Sequence, residues 1–190
     1  MFASYLITDS HFYSQDPHCL RKILTKVLAN HTPTFVCLRD KSTPNYASLA
    51  LATVSLVQKR GIKVLLHQDF KLAAVLGADG VHLPSDAKHC IQEAKHLGLH
   101  VIVSTHTLEE ALYAQAQGAD AITFSPIFAS PGKGAPVGLE KLKEIVGILS
   151  LDVFALGGIV TNEHVRLCAQ TGASGFASIR YFCDTLCNPQ

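Results

Sequence analysis

A Gly-Ala pair recurs three times where an amphipathic stretch gives way to a short apolar run: Leu76-Gly77-Ala78-Asp79-Gly80, Gln117-Gly118-Ala119-Asp120-Ala121 and Thr171-Gly172-Ala173-Ser174-Gly175. Glycine just past a helix adopts the left-handed conformation that ends it, and here the chain re-enters a strand within a few residues. One such junction carries little weight. Three in matching register mark an internally repetitive fold built from βα units.

The apolar runs number eight: Tyr5-Leu6-Ile7-Thr8, Thr34-Phe35-Val36-Cys37-Leu38, Lys63-Val64-Leu65-Leu66, Gly80-Val81-His82-Leu83, His100-Val101-Ile102-Val103-Ser104, Ala121-Ile122-Thr123-Phe124, Asp152-Val153-Phe154-Ala155-Leu156 and Gly175-Phe176-Ala177-Ser178-Ile179. They are nearly continuous in apolar character, as parallel strands covered on both faces must be. Helix starts lie between them. Thr107 with Glu110 forms a capping box, and Thr161-Asn162-Glu163 opens a later helix in a similar way. The pattern predicts an α/β fold, a (β/α)₈ TIM-type barrel, as one domain over residues 1–190. Such barrels typically run to about 250 residues, so these loops must be tight. After Phe182 only Cys183 to Gln190 remain, too few for a full closing helix. The last unit is therefore expected to be truncated, with the barrel bottom closed by a single turn or covered by a partner subunit in a homo-oligomer.

Composition excludes several functions. Hydrophobic residues make up 48% and charged ones 16%, which argues for a packed core and against disorder. A net charge of +1 provides no broad basic field for nucleic acid or an anionic membrane, and the lack of Trp leaves little for stacking bases. No uncharged apolar run reaches the roughly 18 residues a membrane span needs. Met1-Phe2-Ala3-Ser4-Tyr5 has no basic region followed by an apolar one, so no signal peptide is expected and a cytoplasmic location follows by default. Six scattered cysteines without a Cys-x-x-Cys pair are expected as reduced thiols.

In barrels of this kind the chemistry sits at the carboxyl ends of the strands. The polar residues there are Thr8 and Asp9 after the first strand, Arg39, Asp40 and Lys41 after the second, and His67, Gln68 and Asp69 after the third. Ser85 and Asp86 follow the fourth, and Ser104, Thr105 and His106 the fifth. Gly157-Gly158 follows the seventh, directly before a capped helix, where glycines let an anion approach exposed N–H groups. With Ser178 and Ile179 at the end of the eighth, these residues form the candidate phosphate cradle. The loop from Ser125 to Pro136 is long and rich in Gly and Pro, and Ser130 and Lys133 within it are placed to fold over a phosphate. His106 is the candidate proton carrier. His82, inside its strand, reads as a buried hydrogen-bonded histidine, whereas His89, His96, His100 and His164 read as surface residues. No His-x-x-x-His or carboxylate cluster suggests a zinc site.

Tyr5-Leu6-Ile7-Thr8-Asp9, Leu38-Arg39-Asp40-Lys41, Leu72 with Gly77 through Leu83, Ser104-Thr105-His106-Thr107, Ser125-Pro126-Ile127-Phe128 and Gly157-Gly158-Ile159 occur in an order that resembles the thiamine phosphate synthase / TenI superfamily. The resemblance runs over nearly the whole chain. It implies one of two activities. Synthase members join a hydroxymethylpyrimidine diphosphate to a thiazole phosphate and release pyrophosphate, with Mg²⁺ at the diphosphate. TenI members isomerise a thiazole carboxylate phosphate with a histidine and no metal. By this resemblance Arg39 and Lys41 grip the pyrimidine diphosphate and Ser130 and Lys133 are lid residues. Gly158 and Ser178 cradle the thiazole phosphate, and His106 transfers the proton, although many synthases also carry that histidine.

Departures from the pattern direct the choice. Where synthases read Asn-Asp-Asp, with the middle Asp on Mg²⁺, this chain has His67-Gln68-Asp69. The second acidic ligand aligns at Ala87, one residue beyond Asp86, and a glutamine before the Arg of the second strand is Cys37. A hard cation wants anionic oxygens. Asp69 and Asp86 would replace the lost ligands only through two coordinated register shifts, so loss of the metal is the simpler change. The resemblance then implies a metal-independent thiazole tautomerase with no cofactor. The alternatives are an Mg²⁺-dependent thiamine phosphate synthase and a non-catalytic phosphate-binding regulatory homologue. The expected partner in each case is a small thiazole or pyrimidine phosphate.

Overall fold

The computed structural model describes residues 2–183. Its eight parallel strands are β1 (Ala3–Ile7), β2 (Phe35–Leu38), β3 (Lys63–His67), β4 (Gly80–Leu83), β5 (His100–Thr105), β6 (Ala121–Phe124), β7 (Asp152–Leu156) and β8 (Gly175–Ser178). They pair in chain order, and β8 returns to β1 with Ala3 opposite Gly175, closing the barrel. The outer layer comprises the short α1 (Ser10–Tyr13), then α2 (Pro17–Asn30), α3 (Tyr46–Gln58), α4 (Phe70–Leu76), α5 (Ile91–His96), α6 (Leu108–Ala116), α7 (Gly138–Ile148) and α8 (Asn162–Ala169). A 3₁₀ turn, Ser85–Cys90, precedes α5, and another, Arg180–Phe182, follows β8 where a closing helix would begin. The expectation for the tail beyond Cys183 lies outside the described residues. No described helix is long and apolar enough to cross a membrane.

Side chains of a strand alternate between faces, and this divides the core into two layers. Tyr5, Ile7, Phe35, Cys37, Leu65, Ile102 and Phe154 fill the barrel interior. Their neighbours Leu6, Val36, Leu66 and Val103 face outward and pack under the helices. The helices begin where side chains accept their first N–H groups: Asp16 from Cys19, Asp69 from Leu72, Thr107 from Glu110 and Thr161 from His164.

The repeated junctions take the same geometry each time. Gly77, Gly118 and Gly172 have φ of 67°, 86° and 85°, the left-handed region that ends a helix cheaply only at glycine. Two residues on, a polar side chain reaches back to the preceding strand. Asp79 Oδ2 accepts from Val64 N (2.9 Å), Asp120 Oδ2 from Val101 N (2.7 Å) and Ser174 Oγ from Val153 N (3.3 Å). Each of those three residues also donates its own N–H to the carbonyl of the same valine. The base of the barrel is thus stitched by the repeat itself.

Gly80 serves a different purpose. A Cβ there would lie 2.1 Å from the carbonyl oxygen of His100, its register partner on β5. The obstacle is backbone, so β4 and β5 would have to part. Gly80→Ala is expected to destabilise the fold by about 2 kcal/mol, read as a lowered urea midpoint with an unchanged slope. An unchanged midpoint would show that the strands separate freely at this point.

One expectation fails at the base. His100 is half-buried rather than fully exposed: its ring stacks on Phe35 (centroids 5.3 Å, 11° between planes), and its Nε2 is buried with no hydrogen-bond partner among the described residues. Phe35, which reaches it from β2 across the barrel interior, gives this imidazole an apolar face to cover.

Candidate functional site

At the carboxyl ends of the strands lies a cleft of about 750 Å³. Arg39, Lys41, His67, Ser104, His106, Ser130, Lys133, Gly157, Gly158, Ser178 and Ile179 all line it. A smaller lobe of about 550 Å³ lies beside it, bounded by Asp40, Tyr46, Gln68 and Asp69, and shares Lys41, His67, Pro84 and Asp86 with the main cleft.

His106 is anchored from both sides. Thr107 caps α6, and the Glu110 carboxylate accepts from the backbone N–H of His106 (2.7 Å), one residue earlier than a standard capping box would reach. The imidazole Nδ1 lies 3.0 Å from the backbone oxygen of Ser125. A carbonyl only accepts, so Nδ1 carries a proton, and in the neutral ring Nε2 holds the lone pair. An imidazole in this tautomer is set up as a base.

The glycine pair is packed under the loop that follows β6. Gly157 and Gly158 have φ of 99° and 71°. A Cβ on Gly158 would lie 2.6 Å from the Ala129 oxygen, and one on Gly157 would lie 2.8 Å from Pro126 Cα. Among the described residues neither glycine N–H donates to a protein acceptor, and α8 begins four residues beyond Gly158. Ser178 is engaged otherwise. Its hydroxyl donates to the Ile159 oxygen (2.7 Å) and accepts from Tyr181 N (3.1 Å). It ties the two cradle loops together, so an anion would meet backbone N–H groups there. His164, expected at the surface, stacks on Phe128 (4.3 Å) and accepts from Val160 N, bracing the same loop. Ser130 and Lys133 lie on that loop with Lys133 exposed.

On the opposite side, Arg39 donates to Asp9 Oδ2 (2.8 Å), and His11 contacts the other oxygen of that carboxylate (2.9 Å). Burial alone would raise the Asp9 carboxyl, but hydrogen bonds from His11 and Arg39 outweigh it and hold it below the ordinary range. This pair partly neutralises Arg39 and leaves Lys41 as a cationic neighbour at the cleft with no ion-pair partner among the described residues. Burial, then the charges of Arg39 and Lys41, push His67 down to about 4, so it stands neutral at pH 7. Its backbone N–H donates to Tyr46 Oη, which in turn donates to the Leu38 oxygen, pinning the ends of β2 and β3.

His82 is buried and hydrogen-bonded as its place inside β4 suggested, yet it also lines the cleft. Tyr5 Oη lies 2.7 Å from its Nδ1, and Ser104 Oγ lies 2.8 Å from its Nε2. Period-2 alternation puts Tyr5, His82 and Ser104 on inward positions of β1, β4 and β5, but their convergence depends on barrel closure, which local pattern does not show.

The two positions expected to supply metal carboxylates, Gln68 and Ala87, supply none, although Asp40, Asp69 and Asp86 line the smaller lobe. Ala87 is buried and offers no side-chain oxygen, while Gln68 sits at φ 65° with a neutral amide. Asp69 Oδ1 is committed to the N-terminus of α4. Among the described residues no group of three or more His, Cys, Asp or Glu side chains is placed to hold a metal.

The thiamine monophosphate synthase family profile matches residues 4–182. A relative from Aquifex aeolicus, "Putative thiamine-phosphate synthase 2", is 37% identical over 95% of this chain and 97% of its own length. A thiamine-phosphate synthase from Clostridium tetani is 31% identical over 92% of this chain and 85% of its own. Among solved structures, thiamine phosphate pyrophosphorylase from Pyrococcus furiosus superposes with a TM-score of 0.80 at 26% identity, covering 94% of this chain and 85% of that one.

Proposed function

The chain belongs to the thiamine monophosphate synthase family, and on that premise we propose that it is a thiamine-biosynthetic enzyme working as a metal-independent tautomerase of a thiazole phosphate carboxylate. The phosphate rests on the Gly157 and Gly158 N–H groups, with Lys133 closing over it. The ring then extends across the barrel axis toward Ser104 and His106. His106 Nε2 takes a proton from a ring carbon, and the electron pair delocalises into the ring and its carboxylate. The imidazolium, steadied by its Nδ1–H bond to Ser125, returns the proton at a second carbon. No atoms or electrons are gained or lost. Proton transfer by one positioned histidine contributes typically 10²- to 10⁴-fold in rate.

The carrying observation is the donor set beside the cleft, where Gln68 and buried Ala87 hold the positions that the synthase pattern gives to carboxylates. Coupling to a pyrimidine diphosphate is the second reading, favoured by the names of the relatives and by Arg39 and Lys41 at the main cleft. Purified protein assayed for isomerisation and for coupling, with Mg²⁺ and with a chelator, separates them. Isomerisation indifferent to the chelator is expected. Coupling that appears only with Mg²⁺, without isomerisation, would establish the second reading instead.

A further inference from the structure

Tyr5, His82 and Ser104 form a line of hydrogen bonds from the barrel interior to the cleft. Tyr5 is fully buried and His82 is 4% exposed, so neither exchanges partners with water. Burial raises the Tyr5 phenol well above its ordinary value and pushes His82 down to about 3, so both are neutral. A neutral imidazole donates from one nitrogen and accepts at the other, so the line has two arrangements of opposite polarity. In the first, Tyr5 donates to His82 Nδ1, and His82 Nε2–H donates to Ser104. In the second, every proton is reversed, and the Tyr5 hydroxyl is left with only the neighbouring Cys37 sulfur to turn to. Sulfur accepts weakly and a thiol donates weakly. The first arrangement spends the strong phenol donor on the strong imidazole acceptor. The second leaves a buried hydroxyl poorly satisfied, which costs free energy.

We propose that Tyr5 and His82 act as positioning residues that fix the Ser104 hydroxyl as a hydrogen-bond donor into the cleft, so that the site selects a ligand bearing an acceptor there. Among the described residues Ser104 Oγ has no hydrogen-bond partner besides His82, so its proton is free to meet the ligand. On the tautomerase reading, the acceptor is the ring carboxylate, whose negative charge grows as His106 removes the proton. This assignment of the carboxylate rests on that reading. The polarity of the line does not.

Two measurements test it. Nitrogen-15 NMR of the ligand-free protein reads the His82 tautomer, with the proton expected on Nε2; a proton on Nδ1 overturns the proposal outright. Calorimetry then compares a thiazole phosphate carrying a ring carboxylate with the same thiazole phosphate lacking it. Tyr5→Phe is expected to weaken the carboxylate ligand roughly 5- to 10-fold and leave the other unchanged. Tyr5→Phe added to Ser104→Ala is expected to cost nothing further, because Tyr5 acts through Ser104. Equal weakening of both ligands, or losses that add, would assign Tyr5 a merely structural role and overturn the proposal. If the wild type binds neither ligand, the tautomerase reading fails, and the His82 tautomer decides the relay by itself.

Discussion

His106→Asn is expected to lower turnover of a thiazole phosphate carboxylate by about 10²-fold or more, with KM nearly unchanged. Asparagine can still offer an amide N–H to the Ser125 oxygen, and the backbone bond to Glu110 does not depend on the side chain. Folding and phosphate binding should therefore survive. What disappears is the basic nitrogen, since an amide has no lone pair able to take a proton. A fall of 10² corresponds to about 2.7 kcal/mol of transition-state stabilisation. The assay must be limited by chemistry, which a solvent or substrate isotope effect establishes. Wild-type turnover under that condition would remove His106 from the mechanism. His67 would be the next candidate by position, but an imidazole pushed down to about 4 is a weak base at pH 7.

Mild acid is expected to cost the fold more than its carboxylates alone would. Burial pushes His67 and His82 down to about 4 and about 3, whereas an imidazole in the unfolded chain titrates near 6.5. Between those limits the unfolded chain binds protons that the folded protein refuses, so stability decreases as pH falls. The contribution is fully present above pH 6.5. By pH 4.5 the two residues together have removed about 5 kcal/mol. Urea midpoints at pH 7 and pH 4.5 check this, and His67→Gln should remove about half of the dependence. A stability profile flat from pH 7 to 4.5 would mean that both imidazoles accept protons inside the folded barrel, contrary to their burial.

The barrel was largely written in local pattern. Gly80–Leu83, Ala121–Phe124 and Asp152–Leu156 are strands with the bounds their apolar runs suggest, and the others differ by a residue or two at one or both ends. Fully buried parallel strands must be apolar throughout, which makes them legible without knowing their partners. The gathering of His106, Arg39 and Gly158 at one mouth follows from the same logic, because every βα loop of such a barrel opens on one face. What local pattern hides is contact between units. Pairing of Arg39 with Asp9 joins β1 to β2, and Tyr5 meets His82 only because the sheet closes. His100 and His164 looked like solvent-facing positions because the rings that cover them, Phe35 and Phe128, come from other units. The Ser178 hydroxyl is likewise spent on Ile159 and Tyr181, a commitment visible only once β7 and β8 are neighbours.

The stitches from Asp79, Asp120 and Ser174 to the valines of the preceding strands all lie at the amino ends of the strands, away from the cleft. Each joins one unit to the one before it without using any residue that lines the cleft. The two ends of the barrel can thus change at different speeds. A lineage, or a designer, can exchange the loop from Ser125 to Pro136 for a relative's while the joints that hold strand to strand stay in place.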